Sequence, residues 1–235
     1  GCGGLIYKAA RKGHNVFMYM LTRGGASGSP EERTRELILT SKFIGANTLW
    51  IDDFEDTHLS VNSDLIDHIE FIINKSRADI VLTHAPTDVH HDHKAVAAST
   101  IEAGRNTKNI LAYENPLTKN FTPQIFYDIS DVVNEKVELI KLFRSQHDKI
   151  YLRANAIKGL AEYRALQSRL NGKNNQTEGS FSHEYVEAFE VLKACVDDGF
   201  KLWNESMTTL TRNHQSAIPR RYDQIIEVVG QTITQ

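Results

Sequence analysis

The 235-residue sequence contains only two cysteines, Cys2 and Cys195, which lie far apart in the chain. This number and spacing argue against a disulfide framework and a cysteine-based zinc motif, and they favour a reducing, cytoplasmic environment. No apolar run approaches the roughly 20 residues that a membrane-spanning helix requires. Positive charge is not in excess, because the formal net charge is −3. Neither nucleic acid nor a membrane is therefore expected as a partner.

Several catalytic motifs are also missing from the sequence. There is no G-x-S-x-G turn, which argues against a serine hydrolase of the α/β type. Three glycines lie close together at Gly24, Gly25 and Gly28, but no G-x-x-x-x-G-K-[ST] phosphate loop accompanies them. Neither cysteine has basic neighbours that would favour a thiolate, so a cysteine nucleophile is not expected.

The composition and the apolar periodicity of the sequence indicate a globular α/β protein. Hydrophobic residues make up 40% of the chain and charged residues 24%, and this length allows one large domain or two small ones. Apolar periodicity predicts helices over 2–13, 29–46, 63–77 and 93–106, and strands over 15–21, 47–51 and 78–84. Alternation of this kind predicts a Rossmann-like, mostly parallel sheet with helices on both faces.

The second half of the chain is less regular. Helices are predicted over 135–149 and 156–170, and residues 172–180 form a polar segment typical of a loop. The pattern over 182–192 fits either a short helix or a strand with a turn. We place a domain over residues 1–195 and assign no role to a C-terminal tail over 196–235.

Three polar segments follow predicted strands, at 22–33, 52–60 and 83–93. The carboxyl ends of parallel strands lie at one edge of a sheet, where ligands bind in such folds. The third segment, THAPTDVHHDH, ends in three histidines and an aspartate. His93 can serve as a metal ligand, with His90 as an acid or electrostatic stabiliser and Asp92 as the group that orients it. A solvated loop without a function would also account for this cluster of histidines. The residues alone therefore leave open whether it is a functional site or a solvated loop.

The segment PTDVHHDH resembles the P-x-D-x-H-x-D-H signature of the LmbE-like, PIG-L-type N-acetylglucosaminyl deacetylases. Four further segments are similar to that family in the same order along the chain. Their matching residues are Thr22, Gly24, Arg33, Glu36 and Gly45; Asp56; Lys136, Ser145 and Gln146; and Tyr185, Glu187 and Phe189. The resemblance covers roughly residues 1–190.

The resemblance implies a zinc-dependent hydrolase that removes acetyl from the 2-acetamido group of a GlcNAc-containing small molecule. By the same resemblance, His93 binds Zn²⁺, and His90, with Asp92, acts on the reacting amide. Arg33 and Asp56 match positions that hold the sugar. A homo-oligomer is compatible with this assignment, and the sequence does not identify the group attached to the sugar.

One departure from the family is large: the HPDDE motif, which supplies two of three zinc ligands and the general base, does not occur in the sequence. We expect the sequence to be a truncated form of a longer parent, with an incomplete ligand set, a compromised sheet and little activity. The alternatives are a non-catalytic sugar-binding relative that has lost the metal site, and a metal hydrolase acting on a different amide or ester. An HPDDE motif encoded upstream would favour the enzyme over the binding protein.

Overall fold

The computed structural model describes residues 1–168, 183–195 and 224–229. The predicted polar loop over 172–180 lies outside these residues, as does most of the tail over 196–235. The helices are α1 Gly3–Arg11, α2 Pro30–Ile44, α3 Ser63–Ser76, α4 His91–Ala103, α5 Val133–Lys141 and α6 Ala154–Ser168. The strands are β1 Asn15–Thr22, β2 Thr48–Phe54, β3 Ile80–His84, β4 Asn109–Tyr113, β5 Ile125–Asp128, β6 Val186–Ala194 and β7 Gln224–Val229.

The seven strands form one sheet in the order β2-β1-β7-β3-β4-β6-β5. The pairs from β2 to β4 are parallel, and β6 is antiparallel to both of its neighbours. Helices α1, α2 and α5 contribute to an apolar cluster on one face, and α3 and α4 contribute to a cluster on the other. The prediction of a mostly parallel α/β sheet with helices on both faces is therefore confirmed.

Strand β7 comes from the segment to which the sequence assigned no role. It lies in the middle of the sheet, paired in parallel with β1 on one side and β3 on the other. Ile225, Ile226 and Val228 are fully buried, as expected for a central strand covered on both faces. The sheet is continuous across β1, β7 and β3, so the expectation of a compromised sheet is corrected. The domain boundary at residue 195 stays a prediction, with β7 beyond it.

Helix α2 begins and ends at residues suited to those positions. The Ser29 hydroxyl accepts a hydrogen bond from the backbone N–H of Glu32, Pro30 occupies the first turn, and Gly45 ends the helix with φ of 80°. Only glycine adopts that left-handed backbone without steric cost. These capping residues define where α2 starts and ends. The buried Arg33 lies one turn after the start of the helix.

Two elements in the second half differ from the sequence patterns. Helix α5 ends at Lys141, and Arg144–Gln146 forms a 3-10 turn instead of continuing the predicted helix over 135–149. The cause is tertiary, because the backbone N–H of Ser145 donates to Glu36 Oε1 at 2.7 Å rather than to a carbonyl one turn earlier. The ambiguous segment over 182–192 forms β6, a strand. Among the described helices, none is both long and apolar enough to cross a membrane.

Candidate functional site

The predicted metal ligand, His93, lies beside His84 and Asp88. His84 is the last residue of β3, Asp88 lies in the following turn, and His93 is in the first turn of α4. One nitrogen or oxygen donor atom from each of the three lies within 4.8 Å of the other two, and all three residues are buried. The rings of His84 and His93 stack with 3.7 Å between centroids and 6° between planes.

The donor types of this set are those that zinc prefers. Nδ1 of His93 and Oδ2 of Asp88 are 3.2 Å apart, but that nitrogen has no well-aligned hydrogen-bond partner among the described residues. The two atoms therefore interact at short range in a geometry that is not that of a well-aligned hydrogen bond. In tetrahedral zinc sites with bonds of about 2.0–2.2 Å, ligand atoms lie about 3.4 Å apart. Two imidazoles and a carboxylate are also a common ligand set of catalytic zinc.

The Asp88 carboxylate is held in place from several sides. It accepts hydrogen bonds from the His90 backbone N–H at 2.9 Å and the Thr118 hydroxyl at 3.3 Å, and from the Asn115 amide. Burial alone raises the pKa of Asp88, but the adjacent His93 imidazole and the His90 N–H outweigh burial and hold that pKa well below its usual value. Asp88 is therefore an ionised oxygen donor with restricted motion.

His90, predicted to act on the reacting amide, caps helix α4. Its Nδ1 accepts a hydrogen bond of 3.1 Å from the backbone N–H of Asp92. Partial burial, followed by the nearby His93, lowers the pKa of His90. A neutral ring that accepts at Nδ1 carries its proton on Nε2. His90 is therefore oriented to donate a hydrogen bond from Nε2.

Asp92 contacts His90 through its backbone, whereas its carboxylate holds a neighbouring loop. The carboxylate accepts from the backbone N–H groups of Thr57 at 2.7 Å and Leu59 at 3.0 Å, and Oδ1 lies 3.2 Å from Nε2 of His91. Thr57 has φ of 68°, a left-handed conformation that is unfavourable for a β-branched residue. Asp92 thus fixes a strained loop against α4, and its predicted role in orienting His90 stays a prediction.

Arg33, predicted to bind the sugar, is one of the most buried side chains in the protein, at 1% exposure. Its guanidinium donates to Glu36 Oε2 at 3.3 Å and to the Ser145 hydroxyl at 3.2 Å, and it lies over the Phe143 ring. Its Nε has no hydrogen-bond partner among the described residues. The guanidinium of Arg33 is therefore held in one position, and its Nε–H makes no hydrogen bond within the described residues.

Asp56, the second residue predicted to bind the sugar, lies on the loop after β2. Its Oδ2 accepts from the backbone N–H of Ala26 at 3.0 Å, which joins this loop to the one after β1. Together with the Asp92 contacts to Thr57 and Leu59, this bond brings together the three polar loops, as the sequence predicts. Whether Asp56 touches a sugar stays a prediction.

Glu187, whose role the sequence left undecided, caps helix α1. Its two carboxylate oxygens accept from the backbone N–H groups of Gly4 at 2.7 Å and Leu5 at 2.8 Å. The Lys136 ammonium lies 2.7 Å from the same carboxylate. Glu187 and Lys136 therefore position α1 and have a structural role in these contacts.

One cavity collects most of these side chains. His84, Asp88, His90, His93 and Arg33 all line it. Asp92 and Asp56 hold the surrounding loops and are not among the described residues that line the cavity. Of these five residues, the sequence pattern identified His90, His93 and Arg33 as site residues and missed His84 and Asp88. The signal for His84 was its place at the end of β3, nine residues before His93.

The fold and this cluster define an α/β protein with a histidine and aspartate site at the carboxyl ends of parallel strands. The family model described as PIG-L, GlcNAc-PI de-N-acetylase, matches residues 1–104. The uncharacterised deacetylase YaiS of Escherichia coli strain K12 is 33% identical over 141 residues, which span 56% of this chain and 75% of YaiS. The chain therefore belongs to the PIG-L family.

A second relative and a solved structure agree with this assignment. The diacetylchitobiose deacetylase of Thermococcus kodakarensis is 27% identical over 172 residues, covering 62% of this chain and 64% of that protein. The N,N'-diacetylchitobiose deacetylase structure from Pyrococcus horikoshii superposes with a TM-score of 0.67 at 18% identity, covering 82% of this chain and 78% of that one. At that identity the superposition supports the fold alone.

Proposed function

We propose that this protein is a zinc-dependent N-deacetylase that removes acetyl from the 2-acetamido group of a GlcNAc-containing small molecule. The observation that carries the proposal is the convergence of His84, Asp88 and His93 in the cavity that Arg33 and His90 also line. Two relatives bear the name deacetylase, and the name of one specifies diacetylchitobiose, so an amino-sugar amide is the substrate class that we infer.

His84, Asp88 and His93 would hold the zinc ion. When bound, zinc supplies a Lewis acid that polarises the amide carbonyl and lowers the pKa of water. The sequence provided only His93 as a ligand, and a catalytic zinc site needs about three protein ligands. The two further donors beside His93 complete such a set within the described residues, and they favour the enzyme over a sugar-binding protein without a metal.

His90 would stabilise the charge that develops on the carbonyl oxygen. Its proton lies on Nε2 because Nδ1 accepts from the Asp92 backbone. A preorganised donor of this type is worth about 3–4 kcal/mol in the transition state of comparable hydrolases. Partial burial keeps the ring neutral near pH 7 by lowering its pKa, so that the donor is a neutral imidazole.

Arg33 would orient the sugar, and Asp56, which does not line the cavity, would act through the loops that it joins. The guanidinium is fixed by Glu36 and Ser145, and Arg33 lines the cavity. A fixed donor orients a substrate with little loss of side-chain entropy.

The proposal is tested by acetate release from N,N'-diacetylchitobiose and from other GlcNAc conjugates, with added zinc and with chelator. We expect zinc-dependent release in the wild-type protein and loss of at least 100-fold in kcat for His93→Asn, which removes a ligand. The matched control is His68→Asn, because His68 lies on α3 and is half-exposed. Binding of the conjugate without acetate release would favour the sugar-binding alternative, and release that is insensitive to chelator would exclude a metal enzyme.

A further inference from the structure

Apolar side chains that remain in contact with solvent line the cavity beside the histidine cluster. We call them the apolar rim, and they are Val89, Pro116, Leu117, Tyr151 and Leu152. Each is at least partly exposed, and Val89 and Leu117 are 45% and 39% exposed. Single exposed apolar residues are common on protein surfaces, but a group of them at one cavity marks a surface that binds a ligand.

Hydrogen bonds fix the backbone that carries the apolar rim. Leu117 lies in a turn, where its N–H donates to Asn115 Oδ1 at 2.9 Å and the Thr118 N–H donates to the Asn115 carbonyl oxygen at 3.0 Å. The Leu152 N–H donates to the carbonyl oxygen of Lys149 at 3.0 Å. A surface that is already ordered binds a ligand with little loss of conformational entropy.

The segment that leads into Leu117 is also anchored to helix α6. The two carboxylate oxygens of Glu114 accept hydrogen bonds from Nε and Nη2 of Arg164, both at 2.5 Å. Both side chains are buried, and a paired guanidinium and carboxylate of this geometry form a strong, directional contact. The position of Leu117 at the cavity is therefore set by the fold.

The apolar rim adjoins the residues that we propose to act on the amino sugar. Val89 directly precedes His90, and the His90 N–H donates to Asp88, which fixes the turn that carries Val89. Tyr151 lies near Arg33, because the guanidinium opposes the rise that burial causes in the pKa of Tyr151. A sugar oriented by His90 and Arg33 would therefore have its neighbouring groups beside the rim.

We propose that the substrate carries an apolar alkyl or aryl group on the anomeric carbon of its amino sugar and that the apolar rim binds this group. The inference rests on the proposed function and names the class of substrate. The anomeric carbon is bonded to the carbon that bears the acetamido group, so its substituent lies close to the reacting amide.

The chemistry of the rim favours an apolar group over a second sugar. The hydroxyl groups of a sugar need hydrogen-bond partners when they leave water, and among the side chains of the rim only Tyr151 has a polar atom. Burial of alkyl or aryl carbon against valine, proline and leucine side chains is favourable without any such partner.

A series of alkyl glycosides of GlcNAc tests this inference, with acetate release from the zinc-loaded protein as the measurement. We expect kcat/KM to rise about 2- to 4-fold for each CH₂ group added between the methyl and butyl glycosides. The rise should come from KM, because the chain does not take part in the reaction. The 2-methoxyethyl glycoside is the matched control, since it has the length of the butyl compound but contains an ether oxygen. Its kcat/KM should be at least fivefold below that of the butyl glycoside.

Leu117→Asn tests the position of the apolar group, because asparagine has a similar size and a polar amide. We expect the ratio of kcat/KM for the butyl glycoside to that for the methyl glycoside to fall at least threefold. Ile101→Asn is the matched control, since Ile101 is 42% exposed on α4 and is not among the described residues that line the cavity. This control should keep the wild-type ratio.

Three results would overturn the inference while the proposed function stands. They are equal kcat/KM for the methyl, butyl and 2-methoxyethyl glycosides, a higher kcat/KM for diacetylchitobiose than for the butyl glycoside, and a wild-type ratio in Leu117→Asn. If the zinc-loaded wild type releases no acetate from any GlcNAc conjugate, both the inference and the proposed function are overturned.

Discussion

The imidazole rings of His84 and His93 stack face to face, with 3.7 Å between their centroids. Asp88 Oδ2 lies 3.2 Å from Nδ1 of His93. Side chains from a strand, a turn and a helix thus bring two imidazole nitrogens and an ionised carboxylate oxygen into one small volume.

Asp88→Asn should weaken zinc binding. The amide has about the same size, but it replaces the ionised oxygen that converges with Nδ1 of His93. We expect the zinc affinity to fall at least 10-fold, measured by competition with a chromogenic chelator. The control is Asp53→Asn, because Asp53 is exposed and pairs only with Arg23 among the described residues. Equal zinc affinity in the two variants would argue against Asp88 as part of the site.

Asp92→Asn should destabilise the protein more than it disturbs the metal site. Its carboxylate accepts from Thr57 and Leu59 and is completely buried, and an amide can satisfy only one of these two N–H groups. We expect a loss of about 2 kcal/mol in the free energy of unfolding. Urea denaturation measures this loss, with Asp64→Asn on the exposed side of α3 as control. A zinc stoichiometry that drops together with stability would show that Asp92 acts on the metal directly.

Arg33→Lys should raise KM for the amino-sugar conjugate. A lysine ammonium cannot reproduce the planar guanidinium that contacts both Glu36 and Ser145 beside the cavity. We expect KM to rise about 10-fold, with a loss of about 2 kcal/mol in stability from the disturbed buried network. Arg35→Lys, an exposed arginine two residues away in the same helix, should change neither. An unchanged KM for Arg33→Lys would remove Arg33 from the substrate site.

The stability of a Glu227→Gln variant, which lacks a buried carboxylate of β7, should depend on pH in a defined direction. Burial raises the pKa of Glu227 in the folded state, so wild-type stability falls as pH rises from about 4.5, the value in the unfolded chain, through the folded-state pKa. The groups that face Glu227 are the Cys2 thiol, the Glu187 carboxylate, the Tyr113 hydroxyl and the Gly1 amino group.

The variant should therefore match the wild type near pH 4 and become relatively more stable at higher pH. The difference amounts to about 1.4 kcal/mol for each unit by which the pKa is raised. Urea unfolding of both proteins from pH 4 to pH 8 measures it. A constant difference across that range would mean that Glu227 has an ordinary pKa.

The alternating first half of the chain was predictable because its signals are local. Apolar periodicity located α1 to α4 and β1 to β3, and the capping residues Ser29 and Gly45 mark the ends of α2. The second half depends on distant contacts. The end of α5 is set by Glu36, more than 100 residues earlier in the sequence, and β7 forms only by pairing with β1 and β3.

The candidate site also combines residues that short motifs identify with residues that only the fold brings into place. His90, His93 and Arg33 were found from short motifs, and all three line the cavity. His84 carries no motif of its own, and its proximity to His93 depends on the turn between β3 and α4. Glu227, which also lines the cavity, is separated from these residues by more than 130 positions. No local pattern could assign it to the cavity, although its charge within an apolar strand was a visible anomaly.

We propose that His84, Asp88 and His93 together bind one zinc ion. It is tested most directly by an anomalous difference map from crystals containing zinc, with data collected on both sides of the zinc absorption edge. We expect one strong peak within bonding distance, about 2.0–2.2 Å, of donor atoms from these three residues. A peak at the neighbouring group of His90, His91 and Asp92, or no ordered peak in zinc-saturated crystals, would contradict it.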